Sequence, residues 1–239
     1  MQQVFPDSYG QITGILFHDG VTSIGDSAFQ GCSSLESIDM PDTITEVGSY
    51  AFAECSSLKS INISNSLRAI PYYMCGWTPL EDVTIPDSVE EIGACAFWSC
   101  NRLENIVIPN NVLTIGNAAF SECSGLMSVI IGNSVANIST SAFQNCTKLT
   151  SMLIPDNVQR IDGWAFSGDR QITEFIIEGD NSNPISNPAI NRYAFYGCAN
   201  GIIKIKSEAE TNWKTCSDPI VYDESIGKYR WHGSIVETI

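Results

Sequence analysis

The chain has 239 residues, of which 44% are hydrophobic and 16% are charged, and its formal net charge is −15 at pH 7. This composition suffices for one folded domain or one elongated array and is not that of a disordered chain. The acidic balance disfavours nucleic acid and anionic lipid as partners, because both are bound through clustered Lys and Arg. No apolar run approaches the roughly 20 residues that cross a bilayer, so we expect no membrane insertion.

The predicted elements begin with a leading strand, ITGILF at residues 12–17, after an opening segment without signal-peptide features. From residue 28 onward an Ala-Phe pair recurs at intervals of 23 residues, which indicates an array of stacked repeats. A degenerate copy places Met74 at the Ala position, and the last interval is six residues longer, which predicts an inserted loop within residues 178–195. The intact pairs are Ala28-Phe29, Ala51-Phe52, Ala96-Phe97, Ala119-Phe120, Ala142-Phe143, Ala165-Phe166 and Ala194-Phe195.

Each unit approximates the pattern C-x-x-L-x-x-I-x-I-P-x-x-V-x-x-I-G-x-x-A-F. The alternating I-x-I part predicts a half-buried strand. Because one unit cannot bury its own apolar face, we expect the units to stack with their strands in parallel. The V-x-x-I-G and A-F parts are too short for long helices and predict short 3₁₀ turns or strand fragments. The Phe residues of the Ala-Phe pairs are expected to form a buried spine.

The array closes with a looser match, GIIKIK at residues 201–206. Residues 207–216 predict a short helix, and residues 219–237 alternate like a hairpin. We therefore divide the chain into a leucine-rich array of about eight repeats at 1–206 and a C-terminal cap at 207–239. Such a cap would cover the exposed end of a parallel stack.

The L-x-x-I-x-I-P and I-G-x-x-A-F motifs resemble those of the BspA-like, Treponema-type leucine-rich repeat, over about residues 12–206. The resemblance implies a leucine-rich-repeat solenoid, a right-handed curved stack with a parallel β-sheet on its concave face and short 3₁₀ or strand fragments on its convex face. The family is known mainly for bacterial cell-surface and secreted proteins that bind host proteins or other cells. A cell-surface or secreted location and a role in adhesion therefore follow by analogy, which does not identify a ligand.

Six of the nine cysteines share one repeat position, three residues before the Leu of their units, and Trp77 and Asp169 take this position in two other units. In-register side chains run parallel, which is poor geometry for disulfides, and no C-x-x-C element typical of zinc sites is present. We interpret this ladder as small buried thiols and expect no metal and no cofactor. Cys75, Cys95 and Cys216 fall outside the ladder, and their redox state stays open. The ladder consists of Cys32, Cys55, Cys100, Cys123, Cys146 and Cys198.

The sequence offers no support for catalysis. The histidines, His18 and His232, lie at opposite ends of the predicted stack. The chain contains no G-x-S-x-G elbow, P-loop or dinucleotide fingerprint. Asp residues recur directly after the strands, as at Asp42, Asp87 and Asp156, where they are typical of turns. We therefore predict a protein that is not an enzyme.

One outward column of the predicted sheet changes character along the chain. Its early members are polar: Asp39, Asn62 and Thr84. Four aliphatic residues follow, and together with an adjacent methionine we call them the concave stripe: Val107, Ile130, Leu153, Ile176 and Met127. The early units also carry a group of carboxylates that we call the acidic flank: Glu36, Asp39, Glu81, Asp82 and Glu104. We expect the stripe to be a contact surface, although β-propensity alone is an alternative explanation for aliphatic residues on a strand.

The predicted function is a non-enzymatic protein–protein binding or adhesion module that uses the concave face. Its partner would be a host or bacterial surface protein, or a second copy of the chain. One alternative is a glycan-binding module, in which flat convex aromatic rings stack on sugar faces: Trp98, Trp164, Tyr193 and Tyr196. Another alternative is a structural spacer within a larger surface protein.

Overall fold

In a computed structural model of the protein, the described residues are 9–177, 189–191, 193–198, 202–205, 221–223, 228–231 and 234–238. These residues form one 3₁₀ turn at Tyr9–Gln11 and a succession of short strands. In chain order the strands are β1 (Ser23–Ile24), β2 (Ser37–Asp39), β3 (Glu46–Val47), β4 (Ser60–Asn62), β5 (Ala69–Ile70), β6 (Asp82–Thr84), β7 (Glu91–Ile92), β8 (Asn105–Val107), β9 (Thr114–Ile115), β10 (Ser128–Ile130), β11 (Asn137–Ile138), β12 (Ser151–Ile154), β13 (Arg160–Ile161), β14 (Glu174–Ile177), β15 (Ala189–Ile190), β16 (Ile202–Ile205), β17 (Val221–Asp223), β18 (Lys228–Trp231) and β19 (Ser234–Thr238).

The longer strands of the repeats, which are the even-numbered strands from β2 to β16, lie parallel to one another. Their register is constant, since Ile38 pairs with Ile61 and Ile61 pairs with Val83. In β2, β4 and β6 the central residue is buried and both neighbours are exposed. Pairing occurs in three segments, β2-β4-β6, β8-β10 and β12-β14-β16. The predicted leucine-rich-repeat solenoid of stacked parallel strands is confirmed.

A second set of strands, each two residues long, forms on the V-x-x-I-G part of the units. Six of them, from β5 to β15 in odd numbers, make one parallel sheet, and β1 pairs with β3. Ile92 pairs with Ile115, and Ile115 with Ile138, and all three side chains are fully buried. The strand fragments predicted for this part are therefore confirmed. Among the described residues, the only 3₁₀ turn is Tyr9–Gln11.

The A-F part forms a turn segment in which two residues of each unit from Ser27 to Gly168 have left-handed backbone angles. The residue before the Ala-Phe pair has a φ of 57° at Tyr50, and the residue before the cysteine has a φ of 61° at Glu54. The Phe52 N–H donates to the Met74 carbonyl of the next unit at 2.9 Å, whereas the Ala53 N–H donates to the Tyr50 carbonyl at 3.1 Å. Alternate amides thus bond between units and within a unit, which satisfies the backbone without a helix.

The Phe side chains form the spine that the repeat predicts. Phe97, Phe120, Phe143 and Phe166 are fully buried. Adjacent rings are nearly parallel, with centroids 5.3 Å apart for Phe97 and Phe120 and 5.5 Å apart for Phe143 and Phe166. The Ala before each of these rings is also fully buried. The spine therefore belongs to one continuous core with the inward strand residues.

The spine is interrupted in the irregular unit at residues 71–80. Cys75 takes the Phe position there, because its N–H donates to the Ala96 carbonyl at 2.9 Å in the manner of Phe52 and Met74. Both Met74 and Cys75 are fully buried. Met74 is larger than the usual Ala and fills part of the volume that the missing ring leaves. Cys75 is thus a core residue.

The same unit corrects one assignment made from the sequence, in which Trp77 took the cysteine position. Thr78 occupies that position: it is buried, its hydroxyl donates to the Cys75 carbonyl at 2.8 Å, and it lies 3.4 Å from the Cys100 sulfur. Trp77 is instead exposed, with a φ of 57°. Two residues separate the cysteine from the Leu in the other units, but only one separates Thr78 from Leu80. Counting three residues back from Leu80 therefore reaches Trp77 instead of Thr78.

The six ladder cysteines are buried free thiols, as predicted. From Cys55 onward, the ladder sulfurs donate to the carbonyl at the Phe position one unit back: Cys123 Sγ lies 3.1 Å from the Phe97 oxygen, and Cys146 Sγ lies 3.2 Å from the Phe120 oxygen. Burial raises the pKa of the Cys123 and Cys146 thiols well above its usual value. These thiols are therefore neutral hydrogen-bond donors with a structural role.

The leading strand predicted at residues 12–17 is not formed, which is a second correction. Residues 12–17 have no strand pairing, although Ile12, Ile15 and Phe17 pack partly buried against the core. Gly14, in the middle of the segment, weakens any strand there.

Short strands at the C-terminal end continue the last segment of the long-strand sheet. β16 pairs in parallel with β14 and β19, while β19 pairs antiparallel with β18, and β18 with β17. The predicted helix at 207–216, Cys216 and most of the inserted loop within 178–195 lie outside the described residues. The division of the chain at residue 206 stays a prediction.

Candidate binding face

The candidate site is the outward side of the long strands, which we call the strand face. Side chains alternate along a strand, so the buried central residues leave their neighbours pointing outward. In the concave stripe, the exposed fraction runs from 44% at Met127 to 58% at Ile130, and Val107 and Leu153 fall between these values. Ile176 is half-buried. Four of the five predicted stripe residues are therefore open to solvent.

Strand pairing brings the stripe residues side by side in two pairs. Val107 is the direct partner of Ile130 in β8 and β10, and Leu153 is the direct partner of Ile176 in β12 and β14. Paired strands lie about 4.8 Å apart, so four side chains in one column extend over about 15 Å. The strand pairing is interrupted between β10 and β12. The stripe therefore consists of two adjoining apolar pairs.

The acidic flank lies on the same face in the earlier units, and all five of its carboxylates are exposed. Asp39 accepts a hydrogen bond from Asn62 Nδ2 at 2.7 Å, and Glu81 forms an ion pair with Arg102 at 3.2 Å. Exposed contacts of this kind contribute little to stability. Along the column that runs from Asp39 to Ile176 the strand face thus changes from polar to aliphatic, while exposed Ser128 and Ser151 stand beside the aliphatic part and exposed Lys59 stands among the acids.

The strand face presents groups that make hydrogen bonds and apolar contacts. From β2 to β14 its outward residues are carboxylates, amides, hydroxyls and aliphatic groups, and these strands include neither His nor Cys. Within the part of the chain that the structure describes, no group of three or more His, Cys, Asp or Glu side chains could hold a metal ion. In the same residues, no helix has the length and apolarity to cross a membrane.

The turn segments carry a cluster of aromatic rings that the sequence analysis missed, apart from Trp98. We call it the aromatic patch and define it by five residues: Tyr50, Tyr72, Tyr73, Trp77 and Trp98. Neighbouring ring centroids lie between 4.8 Å apart, for Trp77 and Trp98, and 6.2 Å apart, for Tyr73 and Trp77. Aligning the turn segments by column would have revealed it, because Tyr50 and Tyr73 both precede the Ala-Phe position.

The other convex aromatic residues named from the sequence form a separate group. Trp164 and Tyr193 stack with centroids 5.4 Å apart, and Tyr196 meets Tyr193 edge-on at 6.5 Å. In the units between the two groups, Ala118 and Ser141 stand in the column that Trp164 occupies. The structure therefore does not bring Trp98 together with Trp164, Tyr193 and Tyr196 in one platform.

Asp169 takes the cysteine position of its unit, as predicted, and is fully buried. Its carboxyl oxygens have no hydrogen-bond partner among the described residues. Burial raises the pKa of Asp169 to about 9, so the carboxyl is neutral at pH 7. The equivalent acceptor for this position is the carbonyl of Phe143, to which only a protonated carboxyl could donate. A neutral acid thus replaces a neutral thiol in the ladder.

Comparisons with known proteins agree with this fold. The family model of the BspA type leucine rich repeat region matches residues 2–76 and 69–201, in six copies. The crystal structure of a T. pallidum leucine rich repeat protein is 29% identical with a TM-score of 0.59, over 65% of this chain and 74% of that one. A Bacteroides ovatus leucine-rich repeat protein is 21% identical with a TM-score of 0.54, over 95% of this chain and 68% of that one. No curated protein matches.

The matched residues extend over well more than half of the chain and include the units that the Ala-Phe pairs define. The likeness to the T. pallidum protein is one of sequence as well as fold, whereas the likeness to the B. ovatus protein concerns the fold alone. The chain therefore belongs to the BspA type leucine-rich-repeat family.

Proposed function

We propose that this protein is a non-enzymatic binding module that holds a segment of another protein on its strand face. In this proposal it acts in adhesion as part of a bacterial surface or secreted protein, in keeping with what its family is known for. Stacked repeats provide an extended surface on which binding residues can vary without changing the core. The observation that carries the proposal is the exposed aliphatic run of Val107, Ile130 and Leu153.

The fold does not require aliphatic residues at these positions. Asp39, Asn62 and Thr84 occupy the same column in the earlier units, are exposed, and belong to strands with the same register. Strand preference favours branched side chains on either face of a sheet, and it is the competing explanation. Leu153 argues against this explanation, because it is not β-branched, and so does the adjoining Met127, whose side chain is unbranched and exposed.

The partner that fits this face is a protein segment with an aliphatic or aromatic ridge and basic residues toward one end. Its apolar part would cover the stripe, and its basic part would meet the acidic flank, so that charge sets the orientation of binding. About 300 Å² of apolar surface on the stripe would contribute up to about 7 kcal/mol before association costs are deducted. Such a contribution is that of a central contact cluster within a larger interface.

The experiment that tests this proposal is a selection of peptides from a random displayed library on the immobilised full chain. We expect the selected peptides to combine aliphatic or aromatic residues with Lys or Arg at one end. Their affinity should fall at least about tenfold in the double variant Ile130→Ser/Leu153→Ser, since removing central apolar contacts typically has effects of this size. Affinity should also weaken as salt increases, because the flank is exposed.

The matched control is Leu113→Ser, which removes an aliphatic side chain of similar exposure, 53%, from the turn that leads into the second sheet. This control should leave peptide binding unchanged. Peptides without basic residues, or peptides whose affinity is equal for the double variant and the wild type, would contradict the proposal. The proposal would also be contradicted if sedimentation showed that the wild type forms a dimer and that the double variant does not, because a second copy of the chain would then cover the stripe.

A further inference from the structure

The aromatic patch is a second exposed surface, on turn segments separate from the strands that form the strand face. Tyr72 and Trp77 are exposed, and the other three rings are half-buried. Tyr50 and Tyr73 stack with centroids 5.0 Å apart, and Tyr73 meets Trp98 edge-on at 5.5 Å. The five rings therefore make one contiguous surface across three units.

Three of these rings stand at backbone positions that disfavour large side chains. Tyr50, Tyr73 and Trp77 each have a φ of 57°, in the left-handed region that Gly, Asn and Asp adopt most readily. In several other units the same two columns hold smaller residues, such as Ser27 and Asn145, whereas Trp164 is a further ring with the same φ of 57°. The solenoid therefore folds without rings here, and their presence at strained positions points to a function.

The surroundings of the patch are built to accommodate it. A Cβ on Gly76 would lie 2.3 Å from Cδ1 of Tyr73. The Tyr73 ring therefore packs directly on the Gly76 backbone, and any larger residue at position 76 would clash with it. The segments 49–55, 71–79 and 93–101, which carry the rings, contain one charged residue, Glu54. Glu54 stands in the column of Trp77 and accepts a hydrogen bond from Gln30 at 2.9 Å. The patch is thus an uncharged aromatic surface with a polar edge.

We propose that the aromatic patch binds a neutral oligosaccharide. Sugar rings present polarised C–H groups on their faces, which are attracted by the negative faces of Tyr and Trp. Their hydroxyls extend from the edges, where the Tyr hydroxyls, the Trp N–H groups and Glu54 can exchange hydrogen bonds with them. The absence of Lys and Arg from these segments disfavours phosphate-bearing and acidic ligands, which require cations. The ring planes of Tyr50 and Tyr72 differ by 84°, which suits successive sugar units better than one flat ligand.

The experiment is a calorimetric titration of the full chain with cellohexaose, maltohexaose, xylohexaose and mannohexaose. Polygalacturonate serves as the acidic probe, and decaproline serves as a neutral peptide that aromatic grooves also recognise. We expect at least one neutral sugar to bind with a Kd of about 1 mM or tighter, and the other two probes not to bind. Failure of all neutral sugars, or binding of decaproline instead, would overturn the proposal whatever the variants show.

Variants then assign the binding to the patch. Tyr72→Thr/Trp77→Asn introduces residues that the chain already uses in those columns, at Thr140 and Asn145, so we expect the fold to persist. Sugar affinity should fall at least about tenfold, in line with the loss of central aromatic contacts. The control Trp164→Ser removes a ring from the separate aromatic group, at the position that Tyr73 takes in its own unit, and should leave binding unchanged. Equal affinity in the patch variant and the wild type would overturn the assignment.

The double variant Ile130→Ser/Leu153→Ser should bind sugar normally, because the two surfaces are independent.

Discussion

The two halves of the strand face share one core and differ on the outside. Under Asp39 and Asn62 the inward residues are Ile38 and Ile61, and under Ile130 the inward residue is Val129, all of them buried. The strands on both sides keep the same parallel register. The outward residues nevertheless change from acids and amides to aliphatic groups. This difference shows that the inward columns are dictated by the fold, whereas the outward columns are free to be selected for binding.

The turn segments show the same separation. The Ala and Phe positions point inward and vary little, and the one unit that departs from them, at Met74 and Cys75, keeps both positions fully buried. The left-handed positions that flank them vary from Gly31 to Trp77. Variation in this molecule is thus concentrated where a side chain leaves the core.

Removing a ring from the middle of the spine should have the largest effect on stability. Phe120→Ala deletes a fully buried side chain that stacks between Phe97 and Phe143, with centroids 5.3 Å from each. We expect the free energy of unfolding to fall by about 3–5 kcal/mol, because the two sheets hold the cavity open. Urea unfolding followed by circular dichroism measures this. A loss as small as that of an exposed strand residue would mean that the spine is not the core.

Replacing the buried acid should stabilise the protein by a smaller amount. In the folded state the pKa of Asp169 is raised from 3.8 to about 9 by burial, so the folded protein keeps a proton that the unfolded chain releases. The stability contribution of this bound proton is therefore complete below about pH 4 and is lost progressively as the pH rises toward 9. Asp169→Cys, which restores the usual ladder residue, should gain about 1–3 kcal/mol at pH 8.

The control for this change is Asp169→Asn, which keeps the shape and removes the ionisation. In both variants the free energy of unfolding should lose the pH dependence that Asp169 causes. The difference in this free energy between the wild type and each variant, measured from pH 5 to pH 9, shows the loss. An unchanged pH dependence in both variants would show that the Asp169 carboxyl is not held neutral in the folded protein.

Substitutions in the irregular unit at residues 71–80 should change the free energy of unfolding by an amount similar to or smaller than that of Asp169→Cys. Cys75→Phe alone places a ring where Met74 already occupies part of the volume, and overpacking of this kind lowers stability by about 1–3 kcal/mol. The double variant Met74→Ala/Cys75→Phe restores the Ala-Phe pair and should be at least as stable as the wild type. Thermal unfolding of both variants measures the difference. Greater stability in the single variant than in the double one would contradict the assignment of Cys75 to the spine.

The sequence predicted the inward columns because their spacing is regular and their chemistry is uniform. It failed where a unit changes length and at the first unit. Thr78 was missed because a residue is absent between it and Leu80, and the strand at residues 12–17 was expected because a leading unit has the same pattern as the others. The aromatic patch was missed for a different reason: of its five rings only Tyr50 and Tyr73 share a column, and the spacing of the repeat does not show that the other three pack against them. For Asp169 the column was predicted correctly, but its neutral state depends on burial that only the structure shows.

The most direct test of the central claim is a triple variant of the strand face, Val107→Thr, Ile130→Thr and Leu153→Thr. Thr84 holds the same column in the wild type and is exposed there, and Thr retains a high strand preference, so the variant removes apolar surface while it preserves the strands. We predict that the free energy of unfolding changes by less than about 1 kcal/mol, while affinity for the selected peptides falls at least about tenfold. A loss of stability comparable to that of Phe120→Ala, with peptide binding intact, would show that these side chains serve the fold and would contradict the account.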